Sequence, residues 1–166
     1  MRCRHTISNA RLCTKSRKIK LDNHFTVTPK FATKMLEKAL QLYTPSLSEK
    51  PMAEFLADKC DDLGFEDIQI DEVGNVIAKK GTGSPRIMLC GHMDVVPGKV
   101  KVRTEGDSLY GRGASDAKAP LMAMLFAAAS IEKNQGTVIF VGAVDEEGNA
   151  IGIKNIVKKE MNIDYA

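Results

Sequence analysis

The side chains of this sequence that are best suited to metal or acid–base chemistry gather at three places. These are the segments Gly91-His92-Met93-Asp94, Gly111-Arg112-Gly113-Ala114-Ser115-Asp116 and Asp145-Glu146-Glu147-Gly148. His92 and Asp94 are two residues apart, so in an extended chain their side chains share one face. A neutral histidine ligates a metal through one ring nitrogen while the other commonly donates to a carboxylate. The pair therefore suits a ligand and the residue that orients it, and Asp94 is equally compatible with a turn before Pro97.

Glu146 and Glu147 are adjacent carboxylates, and Asp116 stands just before an apolar stretch. Neighbouring side chains at a strand end diverge, so one glutamate can bind a metal while the other accepts and returns a proton. Taken alone, the acidic run is also typical of a solvated turn, and Asp116 suits either a helix N-cap or a bridging metal ligand. The combination of H-x-D, G-R-G-x-x-D and E-E, in that order, favours a metal site.

Two buried strands and a connecting helix are predicted to position these groups. Residues 86–90 and 137–144 are mainly apolar, and the second segment is rich in β-branched side chains, as is typical of strands covered on both faces. A helix at about 118–133 connects them, which predicts a parallel pair. His92 and Glu146 then follow the carboxyl ends of two such strands, where open sheets bind ligands. The expected fold class is α/β, part of a mainly parallel sheet with helices on both faces.

The spacing of apolar residues predicts the remaining elements. Helices are expected at about 35–43, 48–63 and 151–161, and short strands at about 68–70 and 76–78. In the second helix, Ser48 occupies the N-cap position, Pro51 the first turn and Gly64 the end, with Cys60 on the core-facing stripe.

The composition describes one globular unit with a basic start. With 166 residues, 43% of them hydrophobic, the chain can bury a single core. The net charge of +3 divides into +8 for residues 1–34 and −5 for residues 35–166. A basic, acid-poor start is compatible with a transit peptide, a nucleic-acid arm or a stretch before the true start codon at Met35. We favour the last and expect residues 1–34 to be a disordered extension.

Cysteine usage and hydropathy bear on the compartment. The four cysteines form no C-x-x-C pair, which argues against a disulfide framework or a structural zinc site and fits a reducing cytosol. An organellar location is the alternative if residues 1–34 are a transit peptide. The longest uncharged run, 119–131, is too short to span a membrane. Zero Trp and 5% aromatic residues speak against a nucleic-acid-binding surface.

The three motifs resemble those of the co-catalytic zinc deacylases and exopeptidases that include acetylornithine deacetylase and succinyl-diaminopimelate desuccinylase. The resemblance covers about 35–166 and implies a zinc-peptidase-like catalytic domain with two divalent ions, Zn²⁺ or Co²⁺. It implies that His92 binds one metal, Asp116 bridges both and Glu147 binds the other. It also implies catalytic roles for Glu146, as general base, and for Asp94, which orients the His92 ring.

Within that family, the chain looks most similar to the hydrolases that release lysine or ornithine from a small acidic amino-group carrier protein in lysine and arginine biosynthesis. The short segment from Pro97 to Glu105 and the run Asp116-Ala117-Lys118-Ala119-Pro120 carry this resemblance, although the subfamily usually has Gly where Ala119 stands. Acetylornithine deacetylase or succinyl-diaminopimelate desuccinylase activity, on a small N-acyl amino acid, is the alternative. A second alternative is a non-enzymatic relic with a nucleic-acid-binding arm.

The sequence departs from the family pattern in its ligand count. Two further family ligands, an acidic residue soon after the Glu146-Glu147 pair and a late histidine, have no counterpart here, which leaves each metal one ligand short. The family's lid and dimerisation domain also has no counterpart. We therefore expect a truncated catalytic domain with little activity alone, and a homodimer only for a full-length enzyme.

Overall fold

The computed structural model describes residues 27–132 and 135–166. In chain order its elements are α1 Pro29–Gln41, α2 Lys50–Asp62, β1 Glu66–Ile70, β2 Val76–Thr82, β3 Arg86–His92, β4 Arg103–Glu105, β5 Ser108–Tyr110, α3 Lys118–Ala129, β6 Gly136–Ala143 and α4 Ile151–Lys158. No helix in the described ranges is both long enough and apolar enough to cross a membrane.

The central sheet has four strands in the order β1-β2-β6-β3. Strands β3 and β6 run parallel, as predicted, and α3 connects them. The pairs β1–β2 and β2–β6 are antiparallel, so the described sheet is mixed rather than mainly parallel. The short turn between β1 and β2 accounts for the first of these pairs, because a connection of a few residues can join only antiparallel neighbours. The two remaining strands, β4 and β5, form a separate hairpin that the sequence analysis missed.

Helices cover both faces of the sheet, as the sequence predicted. Strand β6 is buried along its whole length. Val138 and Phe140 belong to the larger core, which also contains buried side chains of α1, α2 and α3. Ile139 and Val141 face the other way and pack with Ile156 of α4. This alternation follows from the two-residue period of a strand.

The helix boundaries differ in detail from the predicted ones. Helix α1 begins at Pro29, with Thr28 as its N-cap, so the predicted boundary between residues 34 and 35 falls inside this helix. The rest of the predicted disordered extension, residues 1–26, lies outside the described residues. Helices α3 and α4 end four and three residues before the predicted positions.

Helix α2 largely follows its predicted signals. Pro51 lies in the first turn, Gly64 follows the helix with φ +72°, and Cys60 is fully buried in the core. Burial raises the pKa of the Cys60 thiol to about 12. The N-cap residue is Glu49 rather than Ser48. The Glu49 carboxylate makes no capping bond because it binds the backbone amides of Leu47 and Asp145 instead.

A fully buried lysine joins α3 to the end of α1. Lys118, the first residue of α3, is 0% exposed, and its ammonium group donates to the backbone oxygens of Ala39 (3.1 Å) and Leu42. These carbonyls lie at the end of α1, where helix oxygens lack intrahelical partners. Burial lowers the pKa of Lys118 from its ordinary 10.5 to about 8.

This buried ammonium predicts that the free energy of unfolding rises with pH above 8. Between pH 8 and 10.5 the unfolded chain binds more protons at Lys118 than the folded chain, which favours folding as pH increases. We expect about 1 kcal/mol from this group between pH 8 and 9, measured by urea unfolding. The Lys118→Met variant should lack that increment. Equal pH slopes for the two proteins would contradict the assignment.

Candidate metal centre

The candidate site lies where β3 and β6 end. His92 is the last residue of β3 and pairs in register with Ala143, the last residue of β6. Asp94 and the Glu146-Glu147 pair follow these two strands directly, while Asp116 lies two residues before α3. All five residues singled out in the sequence are thus brought to one edge of the sheet, at the carboxyl ends of the parallel pair.

The His92 ring stands between two carboxylates. Its Nδ1 lies 3.1 Å from the backbone oxygen of Asp94 and 3.3 Å from Oδ1 of the same residue. The other nitrogen, Nε2, also faces an acceptor, because it lies 3.1 Å from Asp116 Oδ1. A cation bound at Nε2 would leave the ring hydrogen on Nδ1, where the oxygens of Asp94 accept it.

The charges around His92 favour its protonated form when no cation is bound. Burial of the ring opposes protonation, but the carboxylates of Asp116, Glu146 and Asp94 outweigh it and raise the pKa of His92 above its ordinary value. The same negative charges that hold a proton here would attract a divalent cation. Protons and metal therefore compete for Nε2.

Three side chains form a donor set that fits a transition-metal ion. His92, Asp116 and Glu147 each offer one ligand atom, and these atoms all lie within 4.8 Å of one another. One imidazole nitrogen with carboxylate oxygens is a combination that Zn²⁺ accepts. His92 is buried, whereas the Asp116 side chain is 79% exposed. The set is therefore open to solvent on its carboxylate side.

Glu146 lies beside this donor set without belonging to it. Its Oε2 is 3.8 Å from His92 Nε2, and its side chain is 55% exposed. Of the two adjacent glutamates, only Glu147 has an oxygen within the three-residue group. Both carboxylates therefore lie near the His92 ring, but only one of them belongs to the donor set. Glu146 stands next to the ligands with its carboxylate accessible.

The Asp94 carboxylate has a wider role than the sequence suggested. It is 0% exposed and accepts hydrogen bonds from the backbone amides of Glu146 (3.1 Å) and Glu147 (3.0 Å). It also accepts a bond of 2.7 Å from the hydroxyl of Ser46. Asp94 therefore fixes the loop after β6 as well as the His92 ring. Sequence reasoning missed Ser46, because it lies 48 residues from Asp94 and belongs to no recognisable motif.

A cavity of about 520 Å³ adjoins the donor set. Its lining includes Asp116 and Glu147 together with Val96, Tyr110 and Arg112. Arg112 donates from Nε to the backbone oxygen of Gly98, which holds the guanidinium at the wall. The β4–β5 hairpin, absent from the predicted elements, thus contributes to the space in which a substrate would reach the site.

The fold and the donor set together describe an α/β protein with a candidate metal centre at one edge of its sheet. Residues 88–166 match the model of peptidase family M20/M25/M40. This match confirms the predicted resemblance to the zinc deacylases and exopeptidases over 79 of the 166 residues.

Curated proteins that are similar in sequence to this chain are also named as hydrolases. A protein from Pyrococcus abyssi, provisionally named a LysW-lysine/LysW-ornithine hydrolase, is 46% identical over 121 residues, covering 73% of this chain and 35% of that protein. Relatives that share the activity in this name include proteins from 31% to 47% identical to the chain. The chain spans little more than a third of the length of these relatives.

Solved structures support the fold. A tripeptidase from Staphylococcus aureus superposes with a TM-score of 0.71 at 24% identity, covering 83% of this chain and 42% of that one. A dinuclear metal-binding peptidase of the M20 family from Bacillus subtilis gives a TM-score of 0.58 at 18% identity, covering 78% of this chain and 38% of that one. At these identities the likeness concerns the α/β architecture.

Proposed function

We propose that this chain is the metal-binding part of an amide hydrolase that releases lysine or ornithine from an amino-group carrier protein. The observation that carries the proposal is the cluster of His92, Asp116 and Glu147 with Glu146 beside it, two of whose members line a cavity. The names of the curated relatives supply the substrate class, because they refer to lysine and ornithine held on LysW.

The inferred cofactors are two divalent ions, Zn²⁺ or Co²⁺. His92 and Asp116 would hold one of them, and Asp116 and Glu147 would hold the other. When bound, such ions supply Lewis acidity for the scissile carbonyl and for a water molecule. The Bacillus subtilis neighbour is described as dinuclear, in keeping with this arrangement.

Glu146 is the residue we assign to proton transfer. Its carboxylate is accessible, lies outside the ligand set and stands 3.8 Å from His92 Nε2, within reach of groups that react there. It takes a proton from the attacking water and delivers it to the departing amine. A carboxylate can do both, because it accepts a proton when ionised and donates it when protonated. Asp94 keeps the His92 ring and the Glu146 backbone in place during these steps.

Substrate preference is tested best in a chimera that completes the ligand set. Residues of this chain replace the matching 121-residue segment of the Pyrococcus abyssi relative, to which it is 46% identical. With Co²⁺ or Zn²⁺ added, the chimera is incubated with carrier-linked lysine, N-acetylornithine or succinyl-diaminopimelate, and the freed amine is measured. The parent relative is assayed alongside as the control.

We expect the chimera to release lysine from the carrier faster than it cleaves either small substrate. The 166-residue chain alone should turn over much less, because the described residues would give each ion two protein ligands, whereas a catalytic zinc has three. A chimera that cleaves N-acetylornithine or succinyl-diaminopimelate while leaving carrier-linked lysine intact would establish the alternative deacylase activity instead.

A further inference from the structure

The connection between α1 and α2, residues 44–49, lies against both loops of the candidate metal centre. The Thr44 hydroxyl donates to the backbone oxygen of Met93 (2.9 Å), and the Val95 amide donates to the backbone oxygen of Thr44 (3.0 Å). These bonds hold the connection alongside the chain that carries His92 and Asp94. The connection contributes neither a metal-binding atom nor a general base.

Ser46 extends this contact to the buried carboxylate of Asp94. Its hydroxyl donates to Oδ2 at 2.7 Å, the oxygen that also accepts the Glu147 amide. The other oxygen, Oδ1, accepts the Glu146 amide and faces His92 Nδ1. Donors from three separate segments therefore surround a carboxylate that is 0% exposed. Removing the hydroxyl would leave the Glu147 amide as the remaining donor to Oδ2 and would cost the buried carboxylate one of its hydrogen bonds.

Glu49 makes a second contact of the same kind. Its side chain is buried, with 4% exposure, and Oε1 accepts the backbone amides of Leu47 (3.0 Å) and Asp145 (2.9 Å). Asp145 has a φ of +58°, a conformation that non-glycine residues rarely adopt, and it leads directly into Glu146. A buried acceptor at the Asp145 amide therefore helps to fix where the loop after β6 turns.

We propose that Ser46 is a positioning residue of the metal centre, acting through Asp94, and that Glu49 supports the same loop through Asp145. The two side chains hold the His92 and Glu146-Glu147 loops in one relative position before any ligand arrives. The proposal rests on the proposed function, because a metal ion is the expected ligand of this site. The claim that Ser46 and Glu49 hold the two loops in place concerns the metal-free chain and is tested separately.

The test compares Ser46→Ala with Ser46→Thr, which keeps the hydroxyl, and with Ser48→Ala, a control at an exposed neighbouring position. Affinity of the 166-residue chain for Zn²⁺ and for Co²⁺ is measured by chelator competition. Amide hydrogen exchange at Glu146 and Glu147 is measured on metal-free protein. We expect Ser46→Ala to weaken metal binding about 10–100-fold and to speed exchange at both amides about tenfold. Ser46→Thr should restore both properties.

The two readouts separate the two proposals. A wild-type chain that binds neither metal would count against the proposed function, while the exchange rates would still test Ser46. Equal exchange at Glu146 and Glu147 in Ser46→Ala and Ser48→Ala would overturn the positioning role. If Ser46→Ala fails to fold, Glu49 provides the same comparison. Since both of its contacts use one oxygen, Glu49→Gln should keep slow exchange at Asp145 and Glu49→Ala should lose it.

Discussion

The Glu146→Gln variant of the active chimera should lose about 10²–10⁴-fold in kcat while retaining its metal affinity. Glutamine has nearly the same shape as glutamate but cannot accept and return a proton. Because Glu146 lies outside the group of three ligand atoms, the change removes no metal-binding oxygen. The loss should therefore appear in turnover at saturating substrate, with little change in KM.

Glu147→Gln is the matched control, since it makes the same chemical change at the neighbouring residue. Glu147 contributes a ligand atom, so its substitution should weaken metal binding and lose activity that excess metal partly restores. Added metal should not restore Glu146→Gln. Near-normal turnover in Glu146→Gln, or rescue of it by metal, would show that Glu146 is not the proton-transfer group.

The sequence allowed the main site residues to be predicted because each is marked locally. His92 and Asp94 follow one mainly apolar strand, and Glu146 and Glu147 follow another. The parallel pairing of these two short strands follows from the helix between them. Carboxyl ends of such strands meet at one edge, so the clustering needed no long-range information. The same reasoning gave helices on both faces of the sheet.

The missing parts of the prediction depend on contacts between distant segments. Ser46 meets Asp94 across 48 residues, Glu49 meets Asp145 across 96 and Lys118 meets Ala39 across 79. Nothing in the local pattern marks a serine in a loop or a lysine at a helix start as buried. The antiparallel pairing of β2 with β6 also depends on tertiary contacts. The order of apolar and polar residues along β2 would be the same beside a parallel neighbour, so the sequence of β2 does not predict its direction.

The Asp94→Asn variant should weaken metal binding about 10–100-fold and lower the free energy of unfolding by about 1–3 kcal/mol. An amide is close in shape to the carboxylate but replaces one acceptor oxygen with a donor. If its oxygen takes the Oδ1 position, the Glu147 amide faces a donor. If its oxygen takes the Oδ2 position, the Glu146 amide and His92 Nδ1 face the side-chain NH₂ group instead. Either orientation leaves a backbone amide of the metal loop unpaired.

This substitution separates the two tasks of Asp94. The backbone oxygen of residue 94, 3.1 Å from His92 Nδ1, is unchanged in Asp94→Asn, so the ring keeps one acceptor and its tautomer. Stability and metal affinity should therefore fall together through the loop, measured by urea unfolding and chelator competition. Asp107→Asn, at an exposed position between β4 and β5, is the control. Unchanged stability in Asp94→Asn with weakened metal binding would instead assign the Asp94 side chain to ring orientation alone.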